Sequence, residues 1–173
     1  MKTLTTFLLL AVLLSSCTAV KFANPQPKGS AALDEFPQKI LGTFTSDESD
    51  TLRIMKTSFR FSDGKEVGFE ADLSAENTIL KLHKRTYILN LKDNGSWDVF
   101  PMKLSANKIT LYFADLTSKT EALLKAKHPE TVREIKTEDG KFDHYLIDPS
   151  AKEFERLLKK KLFADKVEFK RLR

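Results

Sequence analysis

Through the middle of the chain, apolar and polar residues alternate with a period of two, the spacing of a half-buried β-strand. KILGTFTS (39–46), TLRIMK (51–56) and SFRFS (58–62) read as three such strands, with Phe59 and Phe61 on one face. Asp63-Gly64 predicts a tight turn, because glycine tolerates positive φ. Val67, Phe69 and Ala71 then alternate along a fourth strand, and TILKLHK (78–84) supplies a fifth with Leu80 and Leu82 pointing together. The clearest hairpin is RTYILNLKDNGSWDVFPMKL (85–104). Its Asn94-Gly95 pair favours a type I′ turn, which sets Leu89 opposite Phe100 and Tyr87 opposite Met102 and sends Trp97 and Val99 to the other face. Pro101 has no amide hydrogen, so a free edge or a bulge is expected near it. NKITLYFA (107–114) continues the alternation with Ile109, Leu111 and Phe113 inward.

After residue 114 the period lengthens. Ser118-Lys119-Thr120-Glu121 and Ser150-Ala151-Lys152-Glu153 both have capping-box spacing, and each predicts a short helix. Behind the second, Phe154, Leu157, Leu158 and Leu162 form a helical stripe. Strands are expected at 131–137 and 141–148, joined by Glu138-Asp139-Gly140, and at 167–172. The whole reads as a mainly β (α+β) domain. Its antiparallel meander closes into a barrel or bends into a strongly curved sheet, with two short helices late in the chain.

The first 17 residues follow a different pattern. Lys2 precedes an unbroken apolar run from Phe7 to Leu14, then Ser15, Ser16 and Cys17. The run is too short for the ~20 residues of a membrane span, and its layout is that of a secretory signal. Leu14-Ser15-Ser16-Cys17 resembles the lipobox of bacterial lipoproteins. The resemblance implies diacylation of the Cys17 thiol, removal of residues 1–16, and acylation of the freed amine. Composition adds weight, since Cys17 is the only cysteine. An exported protein with a single cysteine has no intrachain disulfide to account for it. Ordinary cleavage after Ala19 is the alternative. Thr18, where an aspartate would signal retention at the inner membrane in many Gram-negative lipoproteins, leans the expectation toward the outer membrane. Residues 17–38 contain Pro25, Pro27, Gly29 and Pro37 and show no hydrophobic period, so they read as a lipid-anchored tether ahead of a single β-rich domain at 39–173. More loosely, the export signal and the WDVFPMKLSANKITLYF meander look like small Gram-negative lipoproteins of no established activity.

Charge changes this picture little. The net charge is +5, concentrated at the end, where residues 150–173 carry nine Lys/Arg against four Asp/Glu. Lys159, Lys160 and Lys161 are candidate contacts for an anionic surface, or a solvated helix face. An exported chain without a recognition motif is not expected to bind nucleic acid.

Candidate chemistry is sparse. There is no Gly-x-Ser-x-Gly, and His83, His128 and His144 lack metal-ligand spacing, so neither metal nor cofactor is expected. Asp47-Glu48-Ser49-Asp50 lacks the spaced ligands of a calcium loop and reads as a solvated turn. The element order and Gly42-Thr43-Phe44 resemble lipocalin-like proteins, which carry Gly-x-Trp on their first strand; here Phe44 replaces the tryptophan. That resemblance implies a carrier of a lipid or other apolar ligand. Phe44, Phe59, Phe61, Phe69, Tyr87, Leu89, Phe100, Met102, Leu111 and Phe113 would line its cavity, or fill it as packed core. Three function classes follow. The first is a membrane-anchored, non-enzymatic binding or accessory module whose partner is an envelope protein or an apolar ligand. The second is the lipocalin-like carrier, and the third is a hydrolase.

Overall fold

The computed structural model describes residues 19–62, 67–105, 107–114, 116–127, 131–160 and 162–172. The signal segment, Cys17, the Asp63-Gly64 turn, His128-Pro129 and Lys161 lie outside them. The described chain is mainly antiparallel β, an open and strongly curled half-barrel with two short helices late in the sequence. Ten strands lie between residues 20 and 113: β1 (Val20–Phe22), β2 (Ala32–Leu33), β3 (Gly42–Thr45), β4 (Thr51–Ile54), β5 (Ser58–Ser62), β6 (Val67–Asp72), β7 (Thr78–His83), β8 (Thr86–Asp93), β9 (Ser96–Ser105) and β10 (Lys108–Phe113). Then come α1 (Ser118–Lys127), β11 (Val132–Lys136), β12 (Phe142–Ile147), α2 (Ala151–Lys159) and β13 (Asp165–Arg171). The expected strands all form, with ends displaced by a few residues at most.

The curl runs in the order β2-β7-β8-β9-β10-β13-β3-β4-β5-β6. A side branch leaves it at β9, where β1 pairs at Trp97 and carries β12 and then β11. Strand β9 is long enough to serve three neighbours. Strand β8 covers one edge; the other is shared by β1 at Trp97 and β10 at Met102–Ser105. Pro101 falls between those two pairings, where an absent amide hydrogen costs the ladder nothing. The hairpin register is the expected one, Leu89 opposite Phe100 and Tyr87 opposite Met102. Asn94 and Gly95 both have positive φ (47° and 82°), as a type I′ turn requires.

Both faces of β8 and β9 are buried, which is why their sequences carry nearly continuous apolar runs. On the concave face, Leu89 and Met102 join Phe44, Leu52, Ile54, Phe59, Leu80, Ile109 and Phe169 in one core. On the convex face, Ile88, Trp97 and Val99 join Val20, Phe22, Tyr145, Ile147, Phe154, Leu157 and Phe163 in a second. Helix α2 closes that second core with the apolar stripe read from its sequence; Phe154 and Leu157 are buried, and Leu162 just beyond it is too. Its capping box forms as expected, with Glu153 N–H donating to Ser150 Oγ (3.4 Å) and Ser150 N–H to Glu153 Oε2 (2.8 Å). Helix α1 is capped one residue earlier than the box at Ser118 suggests: Thr120 N–H donates to Thr117 Oγ1 (3.2 Å).

The main departure is at the N-terminal end of the described chain. Residues 19–38 do not form a free tether. Strand β1 runs parallel to β12 with Val20 opposite Tyr145, and Val20 and Phe22 are fully buried. Phe36 and a 3₁₀ turn at Gln38–Ile40 plug the concave core. The prolines that interrupt any periodicity here shape a folded loop, and three-residue strands are too short to leave a period in the sequence.

Candidate functional site

The candidate cavity residues divide into two groups. Phe44, Phe59, Leu89 and Met102 are buried in the concave core. Phe44, Leu80 and Ile109 leave no surface open to water, from outside or from an internal void, so this end of the curl is filled by its own side chains. Phe61, Tyr87, Phe100, Leu111 and Phe113 are half-buried towards the rim, and Phe69 is 37% exposed on β6. Phe100 and Phe113 meet edge to face at 5.6 Å.

The Gly42-Thr43-Phe44 stretch has a defined structural task. Arg171, at the end of β13, lies 4.6 Å over the Phe44 ring and donates to the carbonyls of Leu41 (2.9 Å) and Lys39 (2.7 Å). The last strand is thereby pinned to the 3₁₀ turn and the start of β3. Gly42 sits at φ +133°, and a Cβ there would stand 2.7 Å from Arg171 Nη1, so only glycine fits without displacement.

Of the candidate lysines at the basic end, Lys159 has a described ion-pair partner. Lys159 pairs with Glu155 (2.8 Å), which also pairs with Lys84 across the fold (2.5 Å). Hydrogen bonds from Lys159 and Lys84, with their charges, hold the Glu155 carboxyl down to about 2. The acidic turn closes on itself. Ser46 Oγ accepts from the amides of Glu48 and Asp50 and donates to Asp50 Oδ2, and Asp50 is buried rather than solvated. His144 pairs with its neighbour Asp143 and His83 lies 3.9 Å from Glu155; among the described residues no three potential metal ligands converge.

The best-built polar site is one the sequence reading passed over. Residues 24–30 fold as a loop over the convex side of β7 and β8. Asn90, with no exposure, holds that loop from beneath. Its Oδ1 accepts from Gln26 N–H (2.7 Å), and its Nδ2 donates to the carbonyls of Gln26, Ile79 and Ile88 (3.0–3.2 Å). Lys81, 7% exposed, sends Nζ to the carbonyls of Pro25 (3.1 Å) and Pro27 (3.0 Å). Burial pushes its ammonium below the ordinary lysine value. A cleft of about 390 Å³ opens beside it, lined by Asn24, Pro25, Lys28, Gly29 and Lys81. Lys28 and Asn24 both hold Asp148 (2.7 and 2.9 Å). Burial works to raise the Asp148 carboxyl, but these partners and the charge of Arg133 outweigh it, so Asp148 stays ionised. The available signals were two polar residues, Lys81 and Asn90, inside otherwise apolar strands.

Among the described residues no helix is long and apolar enough to cross a membrane. No protein-family model matches this chain, and neither curated proteins nor solved structures give a match.

Proposed function

We propose that this chain is an exported lipoprotein, held to a bacterial outer membrane by acyl chains on Cys17, whose β body acts as a binding or accessory module. The observation that carries the reading is the lone Cys17 in Leu14-Ser15-Ser16-Cys17, behind a short apolar run. The position of the folded body gives the anchor a structural consequence. Tyr145 N–H donates to the carbonyl of Ala19 (2.9 Å), so the chain is already tied to β12 two residues after Cys17. Two residues span at most ~7 Å, against ~25 Å for a flexible tether of twenty. Acyl chains on Cys17 would therefore keep the end of the sheet at which the parallel strands β1 and β12 start close to the membrane. Phe142, 42% exposed at the start of β12, lies at that end. The test is intact-mass analysis of the native product. A chain starting at Cys17 with added acyl mass is expected; an unmodified thiol, or a start beyond residue 17, overturns the reading.

A lipocalin-like carrier is the second reading, favoured by the half-buried aromatic residues at the rim of the concave face. Native mass spectrometry of the protein from its host separates the two. A stoichiometric apolar ligand selects the carrier, and a bare protein rejects it.

A further inference from the structure

We propose that the cleft between the Asn24–Gly29 loop and β7 is an oxyanion site. It would take a carboxylate or phosphate group against Lys81 Nζ, with Lys28 Nζ as a second contact. The site stands independently of acylation at Cys17.

The argument begins with charge. Lys81 is nine-tenths buried, and its ammonium is held by two neutral carbonyls; among the described residues no carboxylate pairs with it. A buried cation without a counter-ion is costly, and a methionine would fill similar volume without that cost. Two carbonyls engage two of the three ammonium hydrogens, which leaves one donor for a ligand. Lys81 also lines the cleft, so that donor has somewhere to be used.

The surroundings favour negative charge in the ligand. Lys28 and Lys81 bring two positive charges against the one negative charge of Asp148, which Lys28 and Asn24 hold, so one positive charge stays uncompensated among these groups. The cleft is wide open to solvent, so a small anion can reach Lys81 without displacing the loop. Rigidity adds to the case. Asn90 fixes the Gln26 backbone by both its amide and its carbonyl, so the loop is preorganised before anything binds. At Gly29, with φ +76°, the place of a Cβ has no atom within 4 Å, so the wall there stays open.

The full chain in mild detergent would be titrated with inorganic phosphate and, separately, acetate at constant ionic strength, following backbone amide shifts. Saturable shifts at Asn24, Gly29 and Lys81 are expected, with millimolar dissociation constants. Lys81→Met should weaken binding by about tenfold or more, and Lys28→Met by about threefold. Lys28 is partly exposed, and Asn90 and Lys81 hold the loop without it, so its variant stays interpretable if Lys81→Met unfolds. Saturation by phosphate alone identifies a phosphate ligand, by acetate alone a carboxylate, and by both the shared oxyanion chemistry. No saturable shift with either anion overturns the site, as does an affinity unchanged in Lys28→Met and in any folded Lys81→Met.

Discussion

Phe22→Ala is the sharpest test of the architecture, because a flexible tether and a buried strand predict opposite outcomes. Phe22 has no exposed surface. Its ring meets Phe154 edge to face at 5.9 Å and stacks on Phe163 at 6.3 Å. Its backbone pairs with Ile147 on one side and Trp97 on the other, so the neighbours cannot simply collapse into the space left. Truncating a buried phenylalanine costs about 3–5 kcal/mol in lost transfer energy and residual cavity. The two aromatic pairs, at about 0.5–1.5 kcal/mol each, place the expected value in the upper half of that range. That is a large share of the roughly 5–15 kcal/mol that holds a domain folded. At about 2–4 °C per kcal/mol for a chain of this size, the melting temperature should fall by roughly 8–20 °C. Urea unfolding followed by Trp97 fluorescence, a reporter in the same core, measures the change. Leu172→Ala, at a residue 51% exposed, is the control and should stay within about 0.5 kcal/mol. A loss below about 1 kcal/mol at Phe22 would refute the placement of β1 and return residues 19–38 to a tether.

Asn90→Leu removes the acceptor of Gln26 N–H and the donor to three carbonyls; leaving buried groups unpaired costs about 1–3 kcal/mol each, so a loss above about 2 kcal/mol is expected. Hydrogen exchange should show the Gln26 amide losing protection, and a protected amide would contradict the clamp. Gly42→Ala forces a side chain into φ +133° and against Arg171, for an expected loss of about 1–3 kcal/mol. Combined with Arg171→Ala the loss should be less than the sum, and a purely additive cycle would show that the two do not meet. Glu155 has its folded value depressed from 4.5 to about 2, so its contribution is complete above pH 4.5 and drains away as pH falls towards 2. Acid unfolding of Glu155→Gln should lack that part of the slope; an unchanged profile would mean that the Lys84 and Lys159 pairs contribute nothing.

Much of the β body can be read from the chain because its cause is local. Alternation in 58–62, Asn94-Gly95 between two apolar runs, and Ser150 with Glu153 each specify a strand, a turn or a cap through neighbours a few residues apart. Register in the 85–104 hairpin follows from the turn, so the face of every residue in it follows too. What the sequence could not decide was which faces would be covered and by what. Phe22 and Trp97 are 75 residues apart, yet they share a core because β1 inserts beside β9. Lys81 and Asn90 alternate with leucines and look like the wet side of their strands. They become a buried polar site because the proline-rich stretch before them folds back over that side. Periodicity reports that a face differs from its opposite; only long-range packing chooses whether water or another segment lies against it. For that reason the curled sheet was legible from residue order, whereas the folded N-terminal segment, the second core and the Lys81 cleft emerged only with the tertiary structure.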